Sequence, residues 1–147
     1  MEVDGIVTNP PPVIVKLTGT AIGTAAAWSP SSTVAAAFDG NFNTYFDPAN
    51  GSLTNWVGLD LGTARSITQI KYAPRSGYEW RMIGAQFQVC TTADFSSNVV
   101  TLATITAAPP AGQFTTVYVN PGSAYRYIRY TGGNQWANIA EMEVDGL

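Results

Sequence analysis

Between Val34 and Gly62 the sequence reads VAAAFDGNFNTYFDPANGSLTNWVGLDLG, an apolar turn that gives way to a dense run of oxygen-bearing side chains. Asp39, Asn41, Asn43, Thr44 and Asp47 crowd into one short stretch, and the chain then enters an alternating strand, Trp56-Val57-Gly58-Leu59-Asp60-Leu61. Oxygen donors at such spacing suit a hard cation such as calcium, which takes about six to eight oxygens, many of them backbone carbonyls. A strand entered directly from the loop points to an ion that clamps a connection rather than one that runs a reaction. The EF-hand pattern is absent: counted from Asp39, the sixth position is Thr44 rather than Gly and the twelfth is Asn50 rather than Glu. The same residue types also build ordinary Asx-rich turns with no ion, so both readings stand at this point.

Catalytic chemistry finds little support. The chain has no histidine, which removes Ser-His-Asp and Cys-His nucleophiles and any histidine-ligated zinc or iron. A glycosidase-type pair of carboxylates would be the remaining route, but Asp47, Glu79 and Asp94 lie far apart in sequence and Asp60 sits within a strand. The single cysteine, Cys90, closes an alternating run and reads as a small buried apolar residue, with no internal disulfide available to it. The chain is therefore not expected to be an enzyme.

The elements that must position these residues are strands. Hydrophobic residues make up 46% of the 147 residues and charged ones 12%, about half the usual charged share, with 14 Gly and 9 Pro to serve turns. That is one domain, long enough to bury a proper core. A net charge of −3 with scattered basic residues gives no reason to expect nucleic acid or an anionic membrane as partner. VIVKLTG opens as a β-rich segment, and Trp56–Leu61 and Ser66–Tyr72 alternate with period two about a short turn at Gly62–Arg65. Arg81–Cys90 places Ile83, Ala85, Phe87 and Val89 on one face; Val99–Thr106, Phe114–Val119, Tyr125–Tyr130 and Ile139–Asp145 complete about eight strands. Ser31, Ser32 or Thr33 is placed to cap a single helical turn over Val34–Phe38. Short strands at this spacing fit an all-β jelly-roll sandwich.

Residues 1–5 read MEVDG, and residues 142–146 read MEVDG again, one domain length later. Residues 1–12 are accordingly expected to be the tail of a preceding tandem copy followed by a stiff Pro10-Pro11-Pro12 linker, with the domain proper at 13–147. The alternative is that residues 1–5 pair as a true first strand. MEVDG has neither the basic start nor the apolar core of a signal peptide, so a secreted parent would carry its signal upstream.

AAFDGNFNTYFD followed by WVGLDLG resembles the signature of discoidin domains, the coagulation-factor type C group that includes family 32 carbohydrate-binding modules. YRYIRYTGGNQWANIAEMEVDG is similar to the end of the same domains, and the resemblance runs from about Leu17 to Gly146. It implies a discoidin-like (galactose-binding-domain-like) jelly-roll with one structural calcium. The Asp39 and Glu141 carboxylates, the Phe38, Asn41 and Ala140 carbonyls and Thr44 through its carbonyl and hydroxyl would hold the ion. Such a staple would close a loop of roughly 100 residues, where a cross-link restricts the unfolded chain most.

The resemblance also implies sugar binding by loops at one end of the sandwich. Flat rings stack on the C–H face of a pyranose, and a few fixed polar groups bond its hydroxyls. Pro74-Arg75-Ser76-Gly77-Tyr78-Glu79-Trp80-Arg81 and Gly132-Gly133-Asn134-Gln135-Trp136-Ala137-Asn138 supply both kinds of group, and Trp28 lies on a third loop. Trp136 and Trp80 are the expected platforms, with Trp28 and Tyr78 beside them and Arg75, Arg81, Asn134 and Gln135 as hydrogen-bonding groups. Arg75 and Arg81 could equally brace loop carbonyls, whereas Trp56, Tyr125, Tyr127 and Tyr130 read as packing. Family modules that bind galactose often use a histidine, and none exists here, so galactose- and glucose-containing neutral glycans are equally open. The expectation is a non-catalytic module of a larger extracellular, bacterial, polysaccharide-degrading protein, secreted or at the cell surface, binding polysaccharide or oligosaccharide. The alternative is an adhesion module for protein or phospholipid.

Overall fold

Period-two alternation of branched apolar residues dictates strands with one buried face, and two such faces must close on each other. The computed structural model describes residues 12–147, in which nine strands form two antiparallel sheets. One has the order β1 (Val15–Leu17), β9 (Glu141–Gly146), β4 (Ile67–Ala73), β7 (Thr115–Tyr118); the other has the order β2 (Thr20–Gly23), β3 (Trp56–Arg65), β8 (Tyr125–Thr131), β5 (Gln86–Cys90), β6 (Val100–Thr104). β1 and β9, the first and last strands among the described residues, pair with Leu17 opposite Val144. The architecture is the expected jelly-roll sandwich. MEVDG at residues 1–5 and the tandem-copy reading of it lie outside the described residues.

Inward positions carry the core. Leu59 and Val89 flank Ile128, and Val57 and Phe87 flank Tyr130 in one sheet, while Val144 faces Ile70 and Met142 faces Tyr72 in the other. Phe87 stacks at 5.2 Å on Tyr72 and 5.6 Å on Tyr130, joining the sheets. On the outer face of the second sheet the loop after β5 folds back, and Cys90, Phe95 and Tyr127 form a satellite cluster with Trp56 against it. Trp56 meets Phe95 at 5.3 Å, and Arg129 lies over both rings, so Trp56 is packing as expected. Cys90 is buried and free.

Several boundaries differ from the sequence reading, each for a local reason. β3 does not stop at Leu61 but runs through Gly62–Arg65, with a register shift absorbed where Gly62 takes a φ of +82° and its N–H bonds Asp60 Oδ1. Arg81–Cys90 is not one strand: Glu79–Met82 forms a 3-10 turn, Gly84 (φ +85°) reverses the chain, and β5 begins only at Gln86. β2 was not expected at all, and Ile139 sits in an isolated bridge before β9. The turn at Val34–Phe38 is 3-10, and Thr33 at its start makes no side-chain cap; Ser32 Oγ instead accepts from Ser29 N–H at 2.9 Å.

Candidate functional site

Three loops converge at one end of the sandwich because backbone bonds stitch them to one another. Trp28 N–H donates to the Asp47 carbonyl at 2.8 Å, Ala49 N–H to Ala26 at 2.9 Å and Asp47 N–H to Ser32 at 3.0 Å, so the long connection before β3 folds into its own ladder. Phe46 and Ile139 then form a two-residue bridge that brings the segment before β9 alongside. The third loop is tightened by Tyr78 N–H to the Arg75 carbonyl and Arg81 N–H to the Tyr78 carbonyl, both 3.0 Å. The 3-10 turn that follows buries Met82 completely and turns Arg81 inward beside it.

Together these loops enclose a hollow of about 330 Å³ lined by Trp28, Asp47, Arg75, Tyr78, Arg81 and Trp136. Its floor is a polar chain. Arg75 Nη1 donates to Asp47 Oδ2 at 3.0 Å, Asn138 Nδ2 donates to Asp47 Oδ1 at 2.7 Å, and Arg81 Nη1 donates to Asn138 Oδ1. Asn138 is fully buried, and its carbonyl accepts from the hydroxyl of the equally buried Tyr130 at 3.1 Å. Aromatic rings fix the guanidiniums from above and below. Arg75 lies 4.0 Å from both the Tyr45 and the Tyr78 ring centres, and Arg81 lies 4.4 Å from Tyr78 and 5.3 Å from Trp136 and Trp80. Such cation–ring contacts are worth most where water is excluded. Arg75 bonds the one carboxylate directly and Arg81 reaches it only through Asn138, so the hollow keeps N–H donors to spare between flat apolar walls. Among the described residues the buried Arg81 Nε has no hydrogen-bond partner. This arrangement suits a neutral, hydroxyl-rich ligand with an apolar face, and nothing in it resembles a nucleophile with its base.

Of the residues expected to bind, Trp28, Arg75, Tyr78, Arg81 and Trp136 meet in this hollow. Trp80 is 55% exposed and does not line the hollow, although its ring centre lies 5.3 Å from the Arg81 guanidinium. Asn134 and Gln135 do not line the hollow. Asn134 Oδ1 accepts from Trp136 N–H at 2.8 Å, and the Gln135 carbonyl accepts from Asn55 Nδ2 at 2.9 Å and Ser52 N–H at 3.0 Å, so both hold the Trp136 loop. As for the arginines, among the described residues neither bonds a loop carbonyl: Arg75 bonds the Asp47 carboxylate, Arg81 bonds the Asn138 side chain, and both line the hollow. The sequence reads Asp47 as an oxygen donor of the cation loop and Asn138 only as the end of the loop 132–138, whereas the fold joins the two in this floor. Their signal was faint, a carboxylate and an amide flanking the two halves of the Phe46–Ile139 bridge.

A second polar cluster lies on the other side of that bridge. Asn41 N–H donates to Asp39 Oδ1 at 3.0 Å and to Glu141 Oε1 at 3.2 Å, and the Thr44 hydroxyl bonds Asp39 Oδ2 and the Asn41 carbonyl. Phe38 ends the 3-10 turn that leads into this loop, and Ala140, buried, precedes β9. Glu141 is 2% exposed, and burial together with the facing Asp39 pushes its carboxyl up to about 8. Burial also acts to raise Asp39, but hydrogen bonds from Glu141, Thr44 and Asn41 outweigh it and hold this carboxyl below its usual range. Among the described residues no basic side chain pairs with either carboxylate. Two acids from opposite ends of the chain, with amide and hydroxyl oxygens around them and no counter-charge, fit a hard divalent cation.

The sequence and the fold both have known relatives. Residues 36–130 match the model of the NedA-like, galactose-binding domain family. Among solved structures, the chain is similar to a family 62 carbohydrate-binding module, CBM62 from Clostridium thermocellum Xyl5A. The two are 47% identical with a TM-score of 0.84, over 90% of this chain and 96% of that one. A fucolectin from striped bass (Morone saxatilis) serum is 25% identical with a TM-score of 0.74, over 88% of this chain and 46% of that one. The CBM32 of AlyQ, solved with 4,5-unsaturated mannuronic acid, shares the fold at 22% identity and a TM-score of 0.69, over 88% and 97% of the two chains. A search of curated proteins returns no match.

Proposed function

The chain belongs to the NedA-like, galactose-binding domain family and is a non-catalytic carbohydrate-binding module, and on that premise we propose that it captures one sugar unit of a neutral glycan in the hollow between Trp28 and Trp136. The observation that carries the reading is the Arg75–Asp47–Asn138–Arg81 chain set between those rings. A pyranose lays its C–H face on a ring, and its hydroxyls take hydrogen bonds from Arg75 and Arg81 and give one to Asp47. Asn138 is buried and acts on the sugar only by positioning Asp47 and Arg81. The family description favours galactose over glucose, with these groups in place of the histidine that the chain lacks.

A structural calcium belongs to the same reading. Asp39 and Glu141 would offer carboxylates, Phe38, Asn41 and Ala140 carbonyls, and Thr44 its carbonyl and hydroxyl. The bound ion would supply the positive charge that two facing carboxylates lack. The parent is an extracellular protein in which this module keeps its partner domains on a polymer, and tandem copies would strengthen retention through effective concentration. A lipid-binding role would need free arginines beside the exposed Trp80, whereas both guanidiniums are engaged within the hollow. A glycan array probed with calcium present, and repeated with Trp136→Ala, tests the assignment. Binding confined to one neutral glycan family and lost in the variant is expected, and a blank array from folded protein would sink it.

A further inference from the structure

The sugar hollow has a neighbour. A second hollow of about 250 Å³ is lined by Phe42, Asn43, Tyr45, Arg75, Ser76 and Tyr78. Arg75 and Tyr78 line both hollows, so their stacked side chains form the partition between them. The partition is fixed in place: the Arg75 guanidinium is held between the Tyr45 and Tyr78 rings, 4.0 Å from each, and by Asp47 at 3.0 Å. Among the described residues only Nη1 of Arg75 is engaged by a protein acceptor, which leaves donors for a ligand that crosses the partition.

The far side of this hollow is also fixed. Phe42 meets Phe114 edge to face at 5.0 Å, and Asn43 N–H donates to Asn41 Oδ1 at 2.8 Å. A ring edge, an amide, a hydroxyl and a half-buried tyrosine repeat the chemistry of the first hollow, without a carboxylate in the lining. A shallow, open, mixed surface of this kind suits another uncharged sugar. Joined to the first hollow by two shared side chains, it has the layout of successive subsites along one oligosaccharide.

We infer that the hollow between Phe42 and Ser76 is a second sugar subsite, so that the module reads at least a disaccharide rather than a lone terminal residue. The inference rests on the sugar reading of the first hollow. Its occupant is the unit glycosidically linked to the one held by Trp28 and Trp136, and it contacts Asn43, Ser76 and the free edge of Arg75.

The test is calorimetry with galactose, glucose and a set of neutral galactosyl disaccharides of differing linkage, on the wild type, Phe42→Ala and Ser76→Trp. Ser76 is exposed, so a bulky residue there blocks the hollow without touching the core. At least one disaccharide should bind about tenfold tighter than its monosaccharide, equivalent to about 1.4 kcal/mol. Both variants should erase that gain and leave monosaccharide affinity unchanged. Monosaccharide binding with no disaccharide gain, or a gain that survives Ser76→Trp, would overturn the second subsite alone. Failure of the wild type to bind any of these sugars would overturn the first hollow and the second with it.

Discussion

Replacing Asp47 with Asn changes one charge and almost no volume, and the structure allows its cost to be worked out. Asp47 is 5% exposed and accepts from Arg75 at 3.0 Å and from Asn138 at 2.7 Å. An asparagine oxygen can still accept from Asn138, but its amide then points N–H groups at the N–H groups of Arg75. Removing one partner of a buried pair costs about 3–5 kcal/mol. The Arg75 side chain keeps 18% exposure, so solvent screening reduces the figure to about 2–3 kcal/mol. For a domain of this size that lowers Tm by about 6–10 °C. Urea unfolding of Asp47→Asn, Arg75→Gln and the double variant should give a coupling of at least about 1 kcal/mol, beyond the ~0.5 kcal/mol expected of independent sites. Sugar affinity should fall at least about tenfold, because Arg75 loses its anchor. Additive losses with unchanged affinity would refute the reasoning, and would mean that the Tyr45 and Tyr78 rings alone hold Arg75.

Four further outcomes are expected. Trp136→Ala removes a wall of the hollow and should weaken sugar binding about 10- to 100-fold, the worth of burying one aromatic side chain. Trp80→Ala should change affinity less than about threefold, and calorimetry on the two variants separates a platform from a bystander. Calcium at about 100 times its dissociation constant should stabilise the protein by about 2.7 kcal/mol over EDTA-treated protein. Glu141→Gln should abolish that response, and identical unfolding curves with calcium and with EDTA would refute the ion assignment.

The fold was legible wherever alternation was strong, as in β3, β4 and β8, because a period-two pattern leaves only one face to bury. It misled at Arg81–Cys90. Ile83 has the parity of a core strand residue, yet it lies before Gly84, whose positive φ turns the chain, and it is 47% exposed. β2 escaped notice because Thr20–Gly23 is too short and too mixed to show a period. The aromatic and arginine content of the loops was enough to find the hollow. It could not show that Trp136 lines the hollow and Trp80 does not, since the place of Trp80 depends on the winding of the Glu79–Met82 turn and that of Trp136 on the separate loop before β9. Asp47 looked like an isolated acid because its partners are 28 and 91 residues away. Only the folded topology pairs them.

The Phe46–Ile139 bridge has a consequence for the order of events during synthesis. Asp47 and Asn138 meet only when this bridge closes, and the bridge is followed immediately by the last strand, which threads between β1 and β4. A ribosome releasing the chain from its N-terminus has made two of the hollow's three loops well before the one that carries Trp136 and Asn138 emerges. The hollow is therefore completed late in the synthesis of this domain, together with closure of the first sheet, and a domain cut short before Asn138 lacks the side chain that joins Asp47 to Arg81. Sugar capture by this module thus doubles as a report that the whole domain has been made and closed.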